Sequence, residues 1–540
     1  MEDGSDTVAN KGDTSRHIIE GGDVGAQKLS WRSVVAAVFI LTVEMCERLT
    51  YYSVTANQML FSTSILQLSA PLAVKIHQVF AGTALILPLF GGYIADSMSG
   101  RYNAILGSGF IYVVGLVLIP ASAMDYRPLF GTDEDGSQFD LDLTTRRVYY
   151  YIALVCIAVG TGGIKATVGP FGAQQVEEYG KGAVRSFFNW FYWFINVGST
   201  IAFTAVAYVQ QDISFTWGYV IPLISMVTSL FLLVVTRGLY RHIPPRESSV
   251  KLALGVVHEA VRQRRDGQPF FQSPRKRYGG SYDDETVSGV IAFGKVLLLL
   301  LPLAGFGACY FQAQSITYLQ SLRMDVTLGN FAIPVAAIGI FNTIAVLILI
   351  PFVDRVLYPC MERIGRPFTL LKRIGVGMII AMIGVVVSGV VEIFRKRDIA
   401  TSGGMIQTLG GQDFRSSHYS VFLQTPQIVI GGMSEVFTFV PAFEFGFTQV
   451  PSSMQGMMQG AVLALFGLGN YIGTGVLAAV SAATHNDPWL SDDLNTCHAE
   501  YLLFLLGGIL IIVTVIFTVA SLLYRSSPTQ DDDIKEGMAH

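Results

Sequence analysis

The sequence predicts an all-α polytopic membrane protein with twelve transmembrane helices arranged in two six-helix halves. Charged residues make up only 14% of the 540 residues, against about 25% in soluble domains, and the mean hydropathy is +0.48. Twelve apolar runs have the roughly 20 residues that a helix needs to cross about 30 Å of hydrocarbon. A basic polar segment separates the first six runs from the last six, which is the layout of transporters built from repeated halves.

Helices are the only elements expected within the membrane, because lipid offers no partner for unpaired backbone groups and alternating barrel segments are absent. The predicted spans lie near residues 32–58, 72–97, 103–123, 147–169, 187–209, 216–239, 289–317, 331–358, 368–394, 419–447, 456–483 and 499–524. The predicted domains are a disordered cytoplasmic tail, a first bundle, a cytoplasmic basic linker, a second bundle and a cytoplasmic tail, at residues 1–30, 31–240, 241–288, 289–525 and 526–540.

Lysine and arginine in the connections predict the orientation, since they concentrate on the cytoplasmic side. The linker holds nine of them, namely Arg241, Arg246, Lys251, Arg262, Arg264, Arg265, Arg275, Lys276 and Arg277. The connection after span three is acidic instead, with Asp125, Asp133, Glu134, Asp135, Asp140 and Asp142. Arg395 and Arg397, after span nine, run against the rule. We expect both termini in the cytoplasm.

Several classes of function are disfavoured by composition. The formal net charge of −4 gives a nucleic-acid partner no electrostatic support. The five cysteines are scattered without ligand-like spacing, so neither a disulfide framework nor a zinc site is expected. The spans contain no serine–histidine pair, paired catalytic aspartates or metal-binding histidine motif, and we therefore do not expect an enzyme.

Three charges occur together in the first span. Glu44, Glu47 and Arg48 have the spacing that places all three on one face of a helix. A charge at the bilayer centre costs about 2.5–3.5 kcal/mol on insertion scales, so such residues are usually functional. The arginine can hold one carboxylate ionised while the other exchanges a proton, which predicts a proton relay. The alternative is a self-neutralising cluster that only stabilises helix packing.

Lys165 and Glu435 are charges in opposite halves of the chain. Lys165 ends the glycine-rich stretch Gly160-Thr-Gly-Gly-Ile-Lys165, and Glu435 lies inside the tenth span. If both face a central cavity, they predict a gate that opens when a proton or substrate neutralises the carboxylate. Alternatively, Lys165 extends to the headgroups. Glu444 fits a packing role or a gating role equally well.

Polar side chains complete the candidate site. Tyr52 lies one turn beyond Arg48, Asn196 falls in the fifth span and Asn342 interrupts the eighth. Amides and a phenol can bind the backbone of a peptide or the ends of a zwitterion without adding charge. An asparagine in a membrane helix can equally be a contact between helices. His77 is expected to be a packing residue and not a proton carrier.

These residues stand in blocks that resemble the proton-dependent oligopeptide transporter family of the major facilitator superfamily. The resembling blocks run through nearly the whole chain: Glu44-Met-Cys-Glu-Arg48, Pro88-Leu-Phe-Gly-Gly-Tyr-Ile-Ala-Asp96 with Gly100-Arg101, Gly160 to Lys165 with Phe171-Gly-Ala, Phe191-Tyr-Trp-Phe-Ile-Asn196-Val-Gly-Ser199, and Glu435-Val-Phe through Glu444-Phe to Gln449-Val-Pro451. Phe188-Asn-Trp-Phe-Tyr-Trp and Tyr310-Phe-Gln-Ala-Gln look closest to the peptide/histidine branch, whose members are often endolysosomal.

The resemblance implies a role for each candidate. It implies proton coupling for Glu44, Glu47, Arg48 and Glu435, a substrate-linked gate for Lys165 with Glu435, and substrate contacts for Tyr52, Asn196, Asn342 and Gln312.

The chain also departs from the family pattern. The di- and tripeptide transporters usually carry an arginine where Thr55 stands and an acid where Gln312 stands. Losing both charges together avoids an unpaired buried charge and suggests a retuned site. Gln78, not His77, occupies the position of a family histidine in the second span. Gln174 replaces the usual aspartate after Phe171-Gly-Ala.

The expected function is therefore proton-coupled symport of di- and tripeptides, and also of histidine, by alternating access. No cofactor is expected, and protons serve as the coupling ion. The alternatives are a carrier of another small solute, such as an amino acid or a nitrate-like anion, and a signalling scaffold that recruits cytoplasmic adaptor proteins. The expected location is an endosomal or lysosomal membrane, with the plasma membrane as the alternative.

Overall fold

A computed structural model describes residues 30–127, 140–242, 244, 249–263, 270–329, 331–366 and 368–524. The predicted disordered tails therefore lie outside the described residues, apart from Ser30. The same holds for six of the charges used to predict the orientation: Asp133, Glu134, Asp135, Arg246, Arg264 and Arg265.

Helices form almost the entire first half. In chain order they are α1 Trp31–Ala56, α2 Gln58–Ser64, α3 Ala70–Ile94, α4 Arg101–Ala123, α5 Leu143–Gln174, α6 Lys181–Ile201 and α7 Phe215–Val235. Turns of π-helix prolong α3 through Ala95–Ser99 and α6 through Ala202–Val206 and Val209–Ile213. The predicted linker contains one further helix, α8 Ser249–Arg262, whose Ala253, Val256 and Ala260 are buried. The linker is thus partly folded, which its basic composition did not predict.

The second half repeats the helical layout. Its helices are α9 Asp284–Leu300, α10 Pro302–Ser321, α11 Ile340–Phe352, α12 Tyr358–Arg363, α13 Leu370–Ser402, α14 Thr425–Thr448, α15 Gln455–Ala483 and α16 Ala499–Leu523. A 3₁₀ segment, Val335–Gly339, leads into α11, and π-turns at Val353–Leu357 join it to α12.

The membrane-length helices of the described residues give ten or eleven of the twelve predicted spans. Within the described part of the chain, ten helices are long and apolar enough to cross a membrane, and α9 with α10, bent by 41°, adds an eleventh span if the pair crosses as one. The bend falls at Leu301–Pro302, where proline has no N–H to continue the hydrogen-bond ladder. The helix α1 has 26 residues and carries Glu44, Glu47 and Arg48 near its middle, and we count it as the twelfth. The fold is that of a twelve-helix membrane protein in two six-helix halves, of the major facilitator type.

Short strands lie outside the spans, where water and other loops can satisfy the backbone. They are β1 Met324–Asp325, β2 Thr327–Leu328, β3 Phe331–Ala332, β4 Met405–Leu409 and β5 Gln412–Ser420. The hairpin β4–β5 is antiparallel, and β1 adds to β5 in parallel. Predicting helices alone was correct for the membrane but missed this sheet. The tenth span accordingly starts later than predicted, since β5 occupies its expected first residues.

The two halves meet at the end of the bundle where α1 finishes, which we call the distal end; α1 begins at the proximal end. There, Tyr318 Oη donates to Asn57 Oδ1 at 3.0 Å, and Val335 N donates to Gln211 Oε1 at 2.9 Å. The backbone N of Ala70 also donates to Asp492 Oδ1 at 2.7 Å. These bonds join the halves and close the distal end.

Arg395 explains one exception to the orientation rule. The helix α13 has 33 residues, which makes it about 50 Å long and longer than the hydrocarbon core. Arg395 lies in its last turns, fully buried, with Nη2 at 2.6 Å from Glu392 Oε1. A buried and neutralised arginine carries no information about which side faces the cytoplasm. Lys396 is likewise paired, with Nζ at 3.1 Å from Glu500 Oε1.

Candidate functional site

The three charges of α1 form one buried cluster. Arg48 Nε lies 3.2 Å from Glu44 Oε1 and 2.5 Å from Glu47 Oε2, and its Nη2 also contacts Glu47 Oε2. All three side chains are at most 4% exposed. The predicted helical face is therefore confirmed, and the arginine bridges both carboxylates.

Neighbouring helices complete this cluster. From α5, Thr161 Oγ1 donates to Glu47 Oε1 at 2.6 Å, and it lies 3.2 Å from Tyr112 Oη of α4. Glu44 Oε2, in contrast, is buried without a hydrogen-bond partner among the described residues. On the other side, α6 approaches closely because Gly198 has no side chain; a Cβ there would stand 2.5 Å from Met45 O.

The glycine-rich stretch of α5 brings Lys165 to the centre of the bundle. At Gly162 any Cβ would collide with Leu87 of α3, so glycine permits the close approach of these helices. Lys165 lies one turn beyond Thr161 and lines the central cavity. Glu44, Glu47 and Arg48 are the charges near enough to act on it. Lys165 thus belongs to the cavity and not to the headgroup region.

Glu435 is held by polar neighbours from two other helices. Tyr310 Oη of α10 donates to Glu435 Oε1 at 2.7 Å, and Asn342 Nδ2 of α11 donates to the same oxygen at 3.1 Å. Gly432, one turn earlier in α14, leaves room for the Asn342 side chain. No cation lies within 4.0 Å of Glu435 among the residues that the structure covers.

A cavity of about 600 Å³ separates the two halves and is lined by helices from both. Five of the predicted site residues reach it, namely Tyr52, Lys165, Asn196, Asn342 and Glu435. Tyr52 packs against Phe203 with ring centroids 5.3 Å apart, and Asn196 Nδ2 donates to Tyr192 O at 2.7 Å. These five residues come from five different spans, and their roles toward substrate and protons stay predictions.

Lys165 and Glu435 do not form an ion pair here. Both line the same cavity, but no nitrogen–oxygen distance between them falls within 4.0 Å. The structure therefore places the predicted gate residues across one space without joining them. Glu444 lies elsewhere, half exposed, with Oε2 at 3.9 Å from Arg373 Nη1.

Gln312 was wrongly predicted to contact substrate. Its side chain is fully buried away from the cavity, and neither its Oε1 nor its Nε2 has a hydrogen-bond partner among the described residues. The cavity-lining positions of α10 include Tyr310, Gln314 and Tyr318. Residue 312 lies about 200° around the helix from residue 310, so it cannot share that face.

Two cavity residues were missed or undervalued by sequence analysis. Gln314 lies beside Glu435, and the four-residue spacing from Tyr310 could have revealed it. His77 lines the cavity, with Nδ1 at 2.8 Å from Gln58 Oε1. It is hydrogen-bonded as expected of a packing histidine, yet it also faces the central space.

Within the described residues, no group of three or more His, Cys, Asp or Glu side chains could hold a metal ion.

A twelve-helix bundle with buried charges beside a cavity between two halves defines a membrane transporter and not an enzyme. The family model described as POT family matches residues 102–491, and the chain belongs to this family of proton-dependent oligopeptide transporters. Among its relatives, Protein NRT1/PTR FAMILY 8.1 of Arabidopsis thaliana is 30% identical, with 87% of this chain and 90% of the relative covered. Solute carrier family 15 member 3 of Mus musculus is 28% identical over 90% and 91%.

Solved structures show the same fold. A crystal structure of an auto-inhibited POT family peptide transporter has a TM-score of 0.74 at 22% identity, covering 91% of this chain and 98% of the other. The POT family transporter PepTSo gives a TM-score of 0.72 with the same identity and coverage. The predicted family and fold class are confirmed.

Proposed function

We propose that the chain is a proton-coupled symporter of di- and tripeptides that works by alternating access. One observation carries the proposal: Lys165 and Glu435, a cation and a carboxylate, line one cavity, and within the described part of the chain neither has an ionic partner within 4.0 Å. A peptide is a zwitterion with opposite charges at its ends. The two unpaired charges suit such a substrate better than they suit a simple ion.

The cavity has the dimensions and polarity for this class of ligand. Its volume of about 600 Å³ falls within the range of small-molecule sites, about 300–1,000 Å³. In the proposed complex, the substrate carboxylate lies near Lys165 and the amino group near Glu435. Tyr52, Asn196 and Asn342 provide hydrogen bonds to the peptide backbone.

In the proposed mechanism, two groups of residues couple transport to protons. Glu44 and Glu47 compete for Arg48, so a proton on one carboxylate leaves the arginine to the other. Protonation of Glu435 removes its attraction for Lys165. In the closed proximal gate these two residues approach each other, and substrate or proton separates them. Here Lys165 and Glu435 are apart, and the distal end is closed. This combination is expected of a cavity that is open toward the proximal side.

We extend the proposal to free histidine as a substrate and to an endosomal or lysosomal membrane as the location. Free histidine is a zwitterion and fits the same pair of charges. An endosomal or lysosomal membrane, with both termini in the cytoplasm, would supply protons from the acidic lumen and drive export into the cytosol. Microscopy of the tagged chain with endolysosomal and plasma-membrane markers tests the location, and protease protection of the two tags tests the orientation.

A second candidate is transport of a different small solute. It is favoured by the 30% identity to a plant NRT1/PTR family member and by Thr55, which lines the cavity where the peptide transporters of the family carry an arginine. A neutral residue at this position removes one anchor for a peptide carboxylate.

Uptake into proteoliposomes under an imposed pH gradient separates these candidates. Labelled dipeptides, tripeptides, histidine and nitrate are supplied in parallel, with empty liposomes and a proton ionophore as controls. We expect peptides to accumulate only while the gradient lasts. Accumulation of nitrate without any peptide would replace the first proposal by the second, and uptake that ignores the ionophore would contradict proton coupling.

A further inference from the structure

We propose that a second, basic pocket at the proximal end binds the phosphorylated headgroup of an anionic lipid. The pocket has a volume of about 370 Å³ and is lined by residues that include Arg101, Asn103, Gln174, Arg237 and His242. It lies between the start of α4, the end of α5 and the segment after α7. None of its lining residues also lines the central cavity.

Positive charge dominates this pocket. Arg101 Nε lies 3.1 Å from Asp96 Oδ1, and its Nη1 donates to Pro170 O at 3.2 Å. Arg237 has no carboxylate within 4.0 Å among the described residues; its guanidinium lies 5.6 Å from the ring centroid of Tyr102. Two guanidinium groups therefore face one carboxylate. The planar fork of an arginine matches the oxygens of a phosphate, which Arg237 is free to bind.

Gln174 contributes to the same balance of charge. Its side chain lines the pocket and is a neutral amide. A carboxylate in this position would cancel the remaining positive charge of the pocket. The amide instead offers an N–H donor to a phosphate oxygen.

The surroundings of the pocket favour a lipid as the source of the phosphate. Asn103 shares one face of α4 with Phe110 and Val114, because the spacings of seven and eleven residues return to the same side of a helix. Phe110 and Val114 are 60% and 54% exposed. The helix α7 packs along α4 and exposes Phe231 shortly before Arg237. Acyl chains can lie along this apolar seam while the headgroup occupies the pocket.

The shared chemistry of the ligand is a phosphomonoester, which a lipid headgroup or a free phosphate compound could supply. The proposed orientation, on which this step rests, puts the proximal end in the cytoplasm, and basic pockets between membrane helices on that side are suited to phosphoinositide headgroups. A free phosphate compound would gain nothing from the apolar seam. The proposal therefore commits to the lipid.

Native mass spectrometry of the purified full-length protein tests the assignment. Dioleoyl phosphatidylinositol 4-phosphate is titrated against a background of phosphatidylcholine. We expect Arg237→Gln and Gln174→Asp each to weaken its binding about tenfold, the loss expected for one charge-assisted contact. Arg241→Gln is the matched control, because Arg241 lies outside the pocket lining and pairs with Glu178 at 3.5 Å. The control should bind like wild type.

Two outcomes would overturn the proposal. If wild type, Arg237→Gln and Gln174→Asp bind the phosphoinositide equally, with all proteins monodisperse, the pocket is not its site. If soluble inositol 1,4-bisphosphate displaces the lipid at equal concentration, the phosphate alone is recognised and the seam plays no part. Gln174 is only partly buried, so loss of folding is not expected to obscure the result of Gln174→Asp.

Discussion

Two buried glutamate–arginine clusters, one in each half, resemble each other in sequence and differ in their surroundings. In α13, both oxygens of Glu392 are satisfied, by Arg395 and by Gln320 Nε2 at 2.9 Å. In α1, Glu44 Oε2 has no hydrogen-bond partner within the described part of the chain. In the α13 cluster both carboxylate oxygens are hydrogen-bonded. In the α1 cluster one carboxylate oxygen can accept a proton without breaking a hydrogen bond.

Access to the cavity is the other difference. Lys165, which lines the cavity, lies close enough to the α1 cluster to feel its charges. The α13 cluster lies near the distal end, where Arg395 Nη1 donates to Asn495 Oδ1 at 2.5 Å. Just beyond α10, burial and then the neighbouring Arg395 lower the pKa of Arg323 to about 10, so it stays charged at neutral pH. A buried ion pair is therefore not a sign of function by itself; the α1 cluster is distinguished by an unsatisfied carboxylate oxygen and by its proximity to a lysine that lines the cavity.

The largest contrast is expected from neutralising the α1 carboxylates. Glu44→Gln and Glu47→Gln should each abolish uptake driven by a pH gradient while leaving part of the substrate exchange between equilibrated compartments, because the cavity remains and the relay is lost. Both activities are measured in proteoliposomes at equal protein content. Unchanged gradient-driven uptake in both variants would reduce the α1 cluster to a packing element.

The gate residues should give the next largest effect. Glu435→Gln imitates permanent protonation and should stop accumulation, whereas Lys165→Ala should impair transport because Glu435 loses the cation that its gate requires. Glu444→Gln serves as the matched control, since it is the same substitution on the same helix at a half-exposed position outside the cavity.

The accessibility of cysteines placed along the proximal part of the cavity gives a second measurement of the gate. In wild type, their labelling should change with pH and substrate, and in Glu435→Gln it should stop responding to pH. Near wild-type uptake together with unaltered labelling in both gate variants would exclude a gate formed by these residues.

The α13 cluster should affect stability more than coupling. Arg395→Met leaves Glu392 as an unpaired buried charge, which costs about 3–5 kcal/mol when a buried pair is broken. The thermal unfolding midpoint in detergent should fall markedly, while the protein that remains folded keeps its dependence on the pH gradient. Selective loss of coupling with an unchanged midpoint would show that this cluster also carries protons and would remove the distinction between the two.

The smallest effect is expected at the pair of positions that depart from the family pattern. If Thr55 and Gln312 had faced each other, Thr55→Arg with Gln312→Glu would restore an ion pair. Because Gln312 points away from the cavity, a double-mutant cycle of uptake or stability should show no interaction beyond about 0.5 kcal/mol. A larger coupling would mean that α10 rotates during the cycle and brings residue 312 toward Thr55.

The sequence predicted best where a local rule decides the outcome. The spacing of Glu44, Glu47 and Arg48 fixes their common face on any helix, and the structure confirms it. Their contact with Thr161 depends on how α5 packs against α1, and no local pattern contains that information. The glycines before Lys165 indicated close packing but not against which helix.

The failures also have physical causes. Gln312 was assigned from its place in a family block, although the angle between positions 310 and 312 on a helix already excludes a shared face. Arg395 was counted as a surface charge because the ninth span was ended at residue 394; α13 continues to Ser402. The hairpin β4–β5 was missed because it lies outside the membrane, where the requirement for helices no longer holds.

The closed distal end has a consequence for the speed of the transport cycle. Its apolar contact between the halves consists of Ala56, Ala207 and Ala336 with the partly buried rings of Phe203 and Tyr318. Tyr208 of the first half also stacks on Phe331 of the second, with ring centroids 5.3 Å apart. Side-chain hydrogen bonds of Asn57 and Gln211 cross the same contact. Each of these side-chain hydrogen bonds can be exchanged for hydrogen bonds with water at a net cost of only about 0.5–1.5 kcal/mol. Opening the distal end therefore has to expose these aromatic rings to water as well as exchange hydrogen bonds, so the rate of this step depends mainly on wetting the rings.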